Sequence, residues 1–384
     1  MLILRNGMLM TMDRPPFEGD IAMADGKIVS VGKALPAAEG ATEIDVAGCW
    51  VTPGIVDAHS HIGLMETGTR DRDHNEVGDP IAPSLRAIDG INPQDPAFEL
   101  ARASGMTTCV ACPGSMNLIG GMCAAVKTAG DWVGEMVIDD SVAMKMALGE
   151  NPKFRYTELG RSPKSRMAAA GLIRDALARA GDYGRRAREA NPPPRDLGLE
   201  ALARVVDGEI PMKIHVHRAD DIATAIRLAE EFGLTYTLDH CTEGFMIPDL
   251  LRQAMTRGCR GVIAGPLIGY NGKREVRNSL RLDYPRRLWE LNIPFAICTD
   301  YYENPVELLR TIATLSAAEG LPEDVALAAI TSDAARIAGL GNRVGRLIPG
   351  LDADVAVFSG PPISIHSKCL MTVVNGSIVY EKRG

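Results

Sequence analysis

The sequence predicts an α/β protein: a TIM-type (β/α)8 barrel with a small β-sandwich domain built from both termini. Three observations predict it. Short apolar runs of β type alternate with helix-like stretches through the middle of the chain, the pattern of a parallel sheet closed by crossover helices. Both ends read instead as hairpins, with Asp-Gly or Asn-Gly between alternating apolar runs. Neither end alone is large enough to bury a β core, so the two are expected to combine.

In chain order, LILRNG and DIAMADGKIVSVG, turning at Asp25-Gly26, open the small β domain over residues 1–50. The barrel follows over 51–345. Its expected strands are GIVDAHSH, MTTCVAC, MCAAVKT, VAMKMAL, MKIHVH, TYTLDH, RGVIAGP and PFAICTD, which make eight, the TIM-barrel count. Expected helices include PAFELARASG, MAAAGLIRDALARAG, ADDIATAIRLAEEFG and NPVELLRTIATLSAAEG; several end at glycine, as helices commonly do. The run Asn191-Pro192-Pro193-Pro194 is the clearest loop. DADVAVF and TVVNGSIVYE, turning at Asn375-Gly376, complete the β domain over 346–384.

The 384 residues are 46% hydrophobic and 23% charged, which suits a globular protein with one large and one small domain. A formal net charge of -8 disfavours nucleic acid as a partner. No segment is long and apolar enough to span a membrane, and the start lacks a secretory pattern. The eight cysteines are scattered, as free thiols in a reducing cytoplasm would be. Cys109 and Cys112 form a C-x-x-C with no second pair to complete a zinc site. The expected partners are a small-molecule substrate and, as a possibility, further copies of the chain.

Of seven histidines, five lie at the C-terminal ends of three expected strands: His59 and His61, His215 and His217, and His240; Asp300 ends the eighth strand. Residues i and i+2 of a strand share a face, so His59-Ser60-His61 presents two imidazoles to one ion. The C-terminal mouth is where a barrel gathers its catalytic groups. One histidine at a strand end is usually a hydrogen-bonded core residue. Five together point to a metal held by His59, His61, His215, His240 and Asp300.

The segment PGIVDAHSHIGL, the later His215 and His240, the CTD ending in Asp300, and GNRVGRLIPGLDADVAVF together resemble the amidohydrolase superfamily, in its imidazolonepropionase-like and prolidase-like branch. The resemblance spans nearly the whole chain. It implies one or two divalent metal ions, with zinc the first choice, and in two-metal members a lysine carbamate at the end of the fourth strand. Lys145 is the residue that fits; Lys127 and Glu135 are weaker substitutes. The resemblance further implies His59, His61 and Asp300 on one metal, His215 and His240 on the other, and Lys145 as the bridge. His217, Glu66 and Asn117 are expected substrate contacts. His74 reads as a solvated loop residue with a lesser chance of reaching substrate, and His366 as structural.

The expected activity is hydrolysis of a carbon–nitrogen bond in an amide or cyclic amide. A bound metal would acidify water and polarise the carbonyl, while Asp300 would accept the proton and return it to the leaving nitrogen. The rivals are a one-metal deaminase, a metallo-dipeptidase and a non-catalytic scaffold. Deaminases of this layout carry an acid just after the fifth-strand histidine, and here no carboxylate precedes Asp220. A scaffold has no need of the histidines. Loops offer less: CPGSMNLIGG, with Ser115, Asn117 and Gly120-Gly121, reads as either an oxyanion-binding or a plain barrel loop, and the Arg-rich stretch 153–195 as a solvated helical face.

Overall fold

The computed structural model describes residues 1–68, 72–269 and 281–382. Strands from both ends of the chain join in one separate sheet: β1 (Leu2–Leu9), β2 (Phe17–Ala24), β3 (Lys27–Gly32), β4 (Thr42–Asp45) and β5 (Trp50–Pro53) from one end, β14 (Val355–Phe358), β15 (Cys369–Val374) and β16 (Ser377–Glu381) from the other. The order is β16-β15-β14-β5-β1-β2-β3, with β4 on β1. The β14–β5 pairing therefore stitches the two ends together. Both expected hairpin turns are present, with Asp25-Gly26 and Asn375-Gly376 all at positive φ, as a tight two-residue connection requires.

The eight expected barrel strands are all found: β6 (Ile55–Ser60), β7 (Met106–Ala111), β8 (Ile119–Lys127), β9 (Val137–Ala147), β10 (Met212–Val216), β11 (Tyr236–His240), β12 (Cys259–Ala264) and β13 (Phe295–Ile297). They hydrogen-bond in sequence order, from β6 to β13. The barrel is nearly closed: His61 N donates to Tyr301 O at 2.8 Å and Asp300 N to His59 O at 3.2 Å across the seam. The strands are buried on both faces, which is why their sequences read as continuous apolar runs rather than alternations.

One expectation needs correction. The sheet is not all parallel, because β8 runs antiparallel to both β7 and β9. The physical reason is the link over 112–118, which is shorter than the dozen or so residues a parallel crossover needs. The consequence reaches Lys127. As the last residue of a reversed strand it sits away from the mouth, where its Nζ binds Asp352 at 2.9 Å and Asp354 at 2.6 Å. Glu135 accepts from Asp131 N on the surface. Neither is available as the substitute bridge.

Helices cover the barrel's outside. The helix Pro96–Ala103, capped by Asp95, buries Ala97, Phe98 and Ala101 against the sheet. The long helix Arg166–Ala187, capped by Ser165, carries much of the Arg-rich stretch. Several of its arginines are paired with acids, Arg166 with Asp221, Arg174 with Glu231 and Arg185 with Asp182, so this helix presents a largely ion-paired outer face. Cys109 and Cys112 pack into different parts of the core, the Cys109 thiol against Met106 Sδ and the Cys112 thiol against Val110 O. Among the described residues no helix is long and apolar enough to cross a membrane.

Candidate metal centre

Strand alternation builds the site. On β6, Asp57 and His59 point inward with His61 following; on β10 and its extension, Lys213, His215 and His217 do the same. At β11 alternation breaks: Asp239 and His240 are consecutive, yet both reach His59, Asp239 by a hydrogen bond and His240 with ring centroids 5.0 Å apart. The break is visible in the backbone, where His240 has φ 67°. Asp300, just past β13, has φ 52°. Non-glycine residues in this region carry strain of about 1–3 kcal/mol and concentrate at functional sites.

Two groups of side chains result. His59, His61 and Asp300 bring their ligand atoms within 4.8 Å of one another, as do His215, His217 and His240. In the first, Asp300 Oδ1 lies 3.2 Å from His59 Nε2 and 3.4 Å from His61 Nε2. In the second, the His240 ring lies 4.5 Å from that of His215 and 4.8 Å from that of His217. The sequence reading placed His217 against substrate; the structure sets it in the same trio. Lys145 is wholly buried, with Nζ 3.3 Å from His59 Nε2. Asn151 approaches His215 Nε2 at 3.4 Å.

The tautomers follow from the partners. His59 Nδ1 meets the Asp239 carboxylate at 2.7 Å, His61 Nδ1 the Cys112 carbonyl at 2.7 Å, and His240 Nδ1 the Gly265 carbonyl at 2.5 Å. All three partners can only accept, so each Nδ1 bears hydrogen and each Nε2 of a neutral ring is a bare donor atom. His240 Nε2 is buried with no hydrogen-bond partner. An unmatched, electron-rich nitrogen in the core is costly unless it ligates a cation. The donor set of nitrogens and one carboxylate fits a divalent ion of the zinc type.

Electrostatics agree. Burial would raise the Asp300 carboxyl, but the imidazoles of His240, His59 and His61 packed around it hold it well below the usual range. Burial would likewise raise Asp239, and Lys213 and His59 overcome it. Burial pushes Asp57 up to about 6; it accepts from Thr299 and from His59 N, pinning both sides of the seam. Burial also drives His240 down to about 3.

The remaining expected residues brace loops. Glu66 accepts from Asn92 at 2.7 Å, and Asn117 donates to Asp79 O at 2.7 Å. The amides of CPGSMNLIGG are largely occupied: Gly114 N donates to His74 O at 2.5 Å and Met116 N to Asn75 Oδ1 at 3.0 Å. That loop thereby holds His74 beside His61, with ring centroids 5.3 Å apart, so His74 is half-buried near the centre rather than solvated. His366 lies exposed on a loop before β15. Sequence reasoning missed Asp57, Asp239 and Lys213. Their signal was a charged residue inside an apolar strand, which is expensive to bury without a purpose.

Residues 199–380 match the profile of the Amidohydrolase family. The crystal structure of an amidohydrolase from Thermotoga maritima MSB8 is 35% identical, with a TM-score of 0.95 over 100% of both chains. The amidohydrolase tasK of Hapsidospora irregularis is 28% identical over 94% of this chain, which spans 40% of that relative's length. An imidazolonepropionase from Mesorhizobium japonicum is 26% identical, covering 89% of this chain and 86% of the relative.

Proposed function

The chain belongs to the amidohydrolase family of metal-dependent hydrolases acting on carbon–nitrogen bonds, and from that premise we propose that it hydrolyses an amide or cyclic amide bond of a small molecule at the centre between His59 and His240. One observation carries the reading: three histidines whose Nδ1 hydrogens are consumed by acceptor-only partners, leaving Nε2 of each to bind. His59, His61 and Asp300 would hold one divalent metal, and His215 and His240, with His217 beside them, a second. Lys145, buried between the groups, is the residue to carry a bridging carbamate. We take residues 51–345 as the catalytic domain and 1–50 with 346–384 as the supporting β domain.

Zinc, when bound, would supply Lewis acidity that brings water toward ionisation at neutral pH and polarises the scissile carbonyl. The chain's own residues do the rest. Asp300, held as a carboxylate, takes a proton from the attacking water. It then delivers that proton to the departing nitrogen, which leaves poorly as an anion. His61 and His240 keep their Nδ1 hydrogens on the Cys112 and Gly265 carbonyls throughout.

Two observations order the rivals. Asp220, the first carboxylate after His215, is engaged by Arg218 at an exposed helix start, so it does not serve as a deaminase acid. The imidazolonepropionase likeness along most of the chain supports a ring amide among the substrates. A screen of cyclic amides, N-acyl amino acids and dipeptides with zinc-loaded protein tests the proposal. Turnover of any class, lost in Asp300→Asn, supports it; release of ammonia from an aminated ring with no amide cleaved would move the assignment to deamination.

A further inference from the structure

Beneath the histidines lies a buried polar group that the proposed reaction does not use. Asp239 is wholly buried in the barrel interior. Its Oδ1 accepts from Lys213 Nζ at 3.1 Å and from Thr237 Oγ1 at 3.0 Å. Its Oδ2 accepts from His59 Nδ1 at 2.7 Å and lies 4.0 Å from Lys145 Nζ. Lys213 is 3% exposed and stands directly opposite Lys145 in the parallel β9–β10 ladder. Two lysines and a carboxylate in a dry barrel interior are a costly arrangement, and such groups persist only when each is matched. Here the carboxylate is matched on both oxygens, and its outlet toward the centre is the His59 ring.

We propose that Asp239 and Lys213 are a positioning pair for the metal: Lys213 anchors the Asp239 carboxylate, and Asp239 fixes the His59 ring so that Nε2 alone faces the ion. The inference rests on the metal reading of the site. His59 is the group that needs such fixing most. Its Nε2 lies near both Asp300, at 3.2 Å, and Lys145, at 3.3 Å, so a rotated ring would misplace the nitrogen that faces both the carboxylate and the proposed bridge. His61 and His240 are oriented by main-chain carbonyls, which no side-chain substitution removes. His59 depends on a side chain, and that side chain depends on Lys213.

The test is metal affinity and ring chemistry, with no substrate required. In the zinc-loaded parent, nitrogen-15 spectra of labelled histidine, with the His59 signal assigned by its loss in His59→Gln, should show Nδ1 protonated and Nε2 free of hydrogen and bound to the ion. Asp239→Asn should lower affinity for one zinc equivalent by about 10- to 100-fold in chelator competition, the range seen when a ligand's hydrogen-bond partner is removed. Adding Lys213→Met should restore part of that loss, because the side-chain amide introduced by Asp239→Asn can then turn its oxygen to His59 without setting its NH2 against an ammonium. A purely structural carboxylate would lower the unfolding temperature without separating the two zinc equivalents. Asp239→Asn with parent affinity for both equivalents overturns the proposal, and so does a His59 ring protonated on Nε2, a result the parent protein yields even if the variants fail to fold. A parent that binds no zinc would instead overturn the metal reading beneath it.

Discussion

The backbone N–H of Asp300 donates to the carbonyl of His59 at 3.2 Å, so the proposed proton carrier after the last barrel strand is tied main chain to main chain to a proposed ligand on the first. Substitution at Asp300 can therefore remove the carboxylate without loosening its position. Asp300→Asn should fold as the parent does and lose about 10²–10⁴-fold in turnover. Unchanged kcat on the best substrate of the screen would assign the proton to another group.

Purified protein should contain between one and two equivalents of a divalent transition metal by elemental analysis, and chelation should abolish hydrolysis. His59→Ala combined with His61→Ala should remove most of the metal. Parent-like metal content in that double variant would place the ions elsewhere.

Lys145→Ala should lose one metal equivalent and keep the other, since His59, His61 and Asp300 remain. Acetate or propionate should then restore part of the activity by filling the vacated space with a carboxylate. Unchanged stoichiometry in this variant would argue for a single-metal centre and against the carbamate.

Burial, helped by the nearby charge of Arg72, pushes His74 from the ordinary 6.5 down to about 3. Above pH 6.5 neither the folded nor the unfolded chain holds that proton, and the group is silent. As pH falls below 6.5 the unfolded chain takes a proton that the folded chain refuses, so stability drains away down to about pH 3. From pH 8 to pH 5 the loss is about 2 kcal/mol. Urea denaturation of parent and His74→Gln across this range measures it as a difference; parallel curves would show that His74 is not the source.

The eight strands were legible because a barrel buries both faces of each one and so writes it as an apolar run. The histidines were legible because ligands cluster at strand ends. The direction of β8 was not read, although the short link over 112–118 carried the information. Asp239 escaped notice because alternation assigns consecutive residues to opposite faces, and only the positive φ of His240 lets both turn inward. His74 was read as solvated because its burial is made by a distant segment, the loop after β7, whose approach no local pattern announces.

Lys127 should be as important to folding as any apolar core residue. Its ammonium is buried between Asp352 and Asp354, which also take Lys27, Arg343 and Thr108. Lys127→Met leaves the buried Asp354 carboxylate without a cation while Asp352 keeps Lys27 and Arg343, a change that costs about 3–5 kcal/mol when one partner of a buried pair is removed. Equilibrium unfolding reads the loss directly; a shift under about 0.5 kcal/mol, typical of surface changes, would mean that Arg343 and Lys27 suffice.

The pairing of β5 with β14 has a consequence for the chain as it leaves the ribosome. All eight barrel strands are synthesised between those two partners, so the barrel emerges while the counter-charges for Lys127 are still unmade. A nascent chain that stops short of Asp352 holds a lysine it can neither bury nor match, and an open edge at β5. Such a fragment should be cleaved by protease at concentrations that leave the finished chain intact. Protease resistance of the barrel should therefore depend on the segment that carries Asp352 and Asp354, since it supplies both the strand that covers β5 and the partners of Lys127.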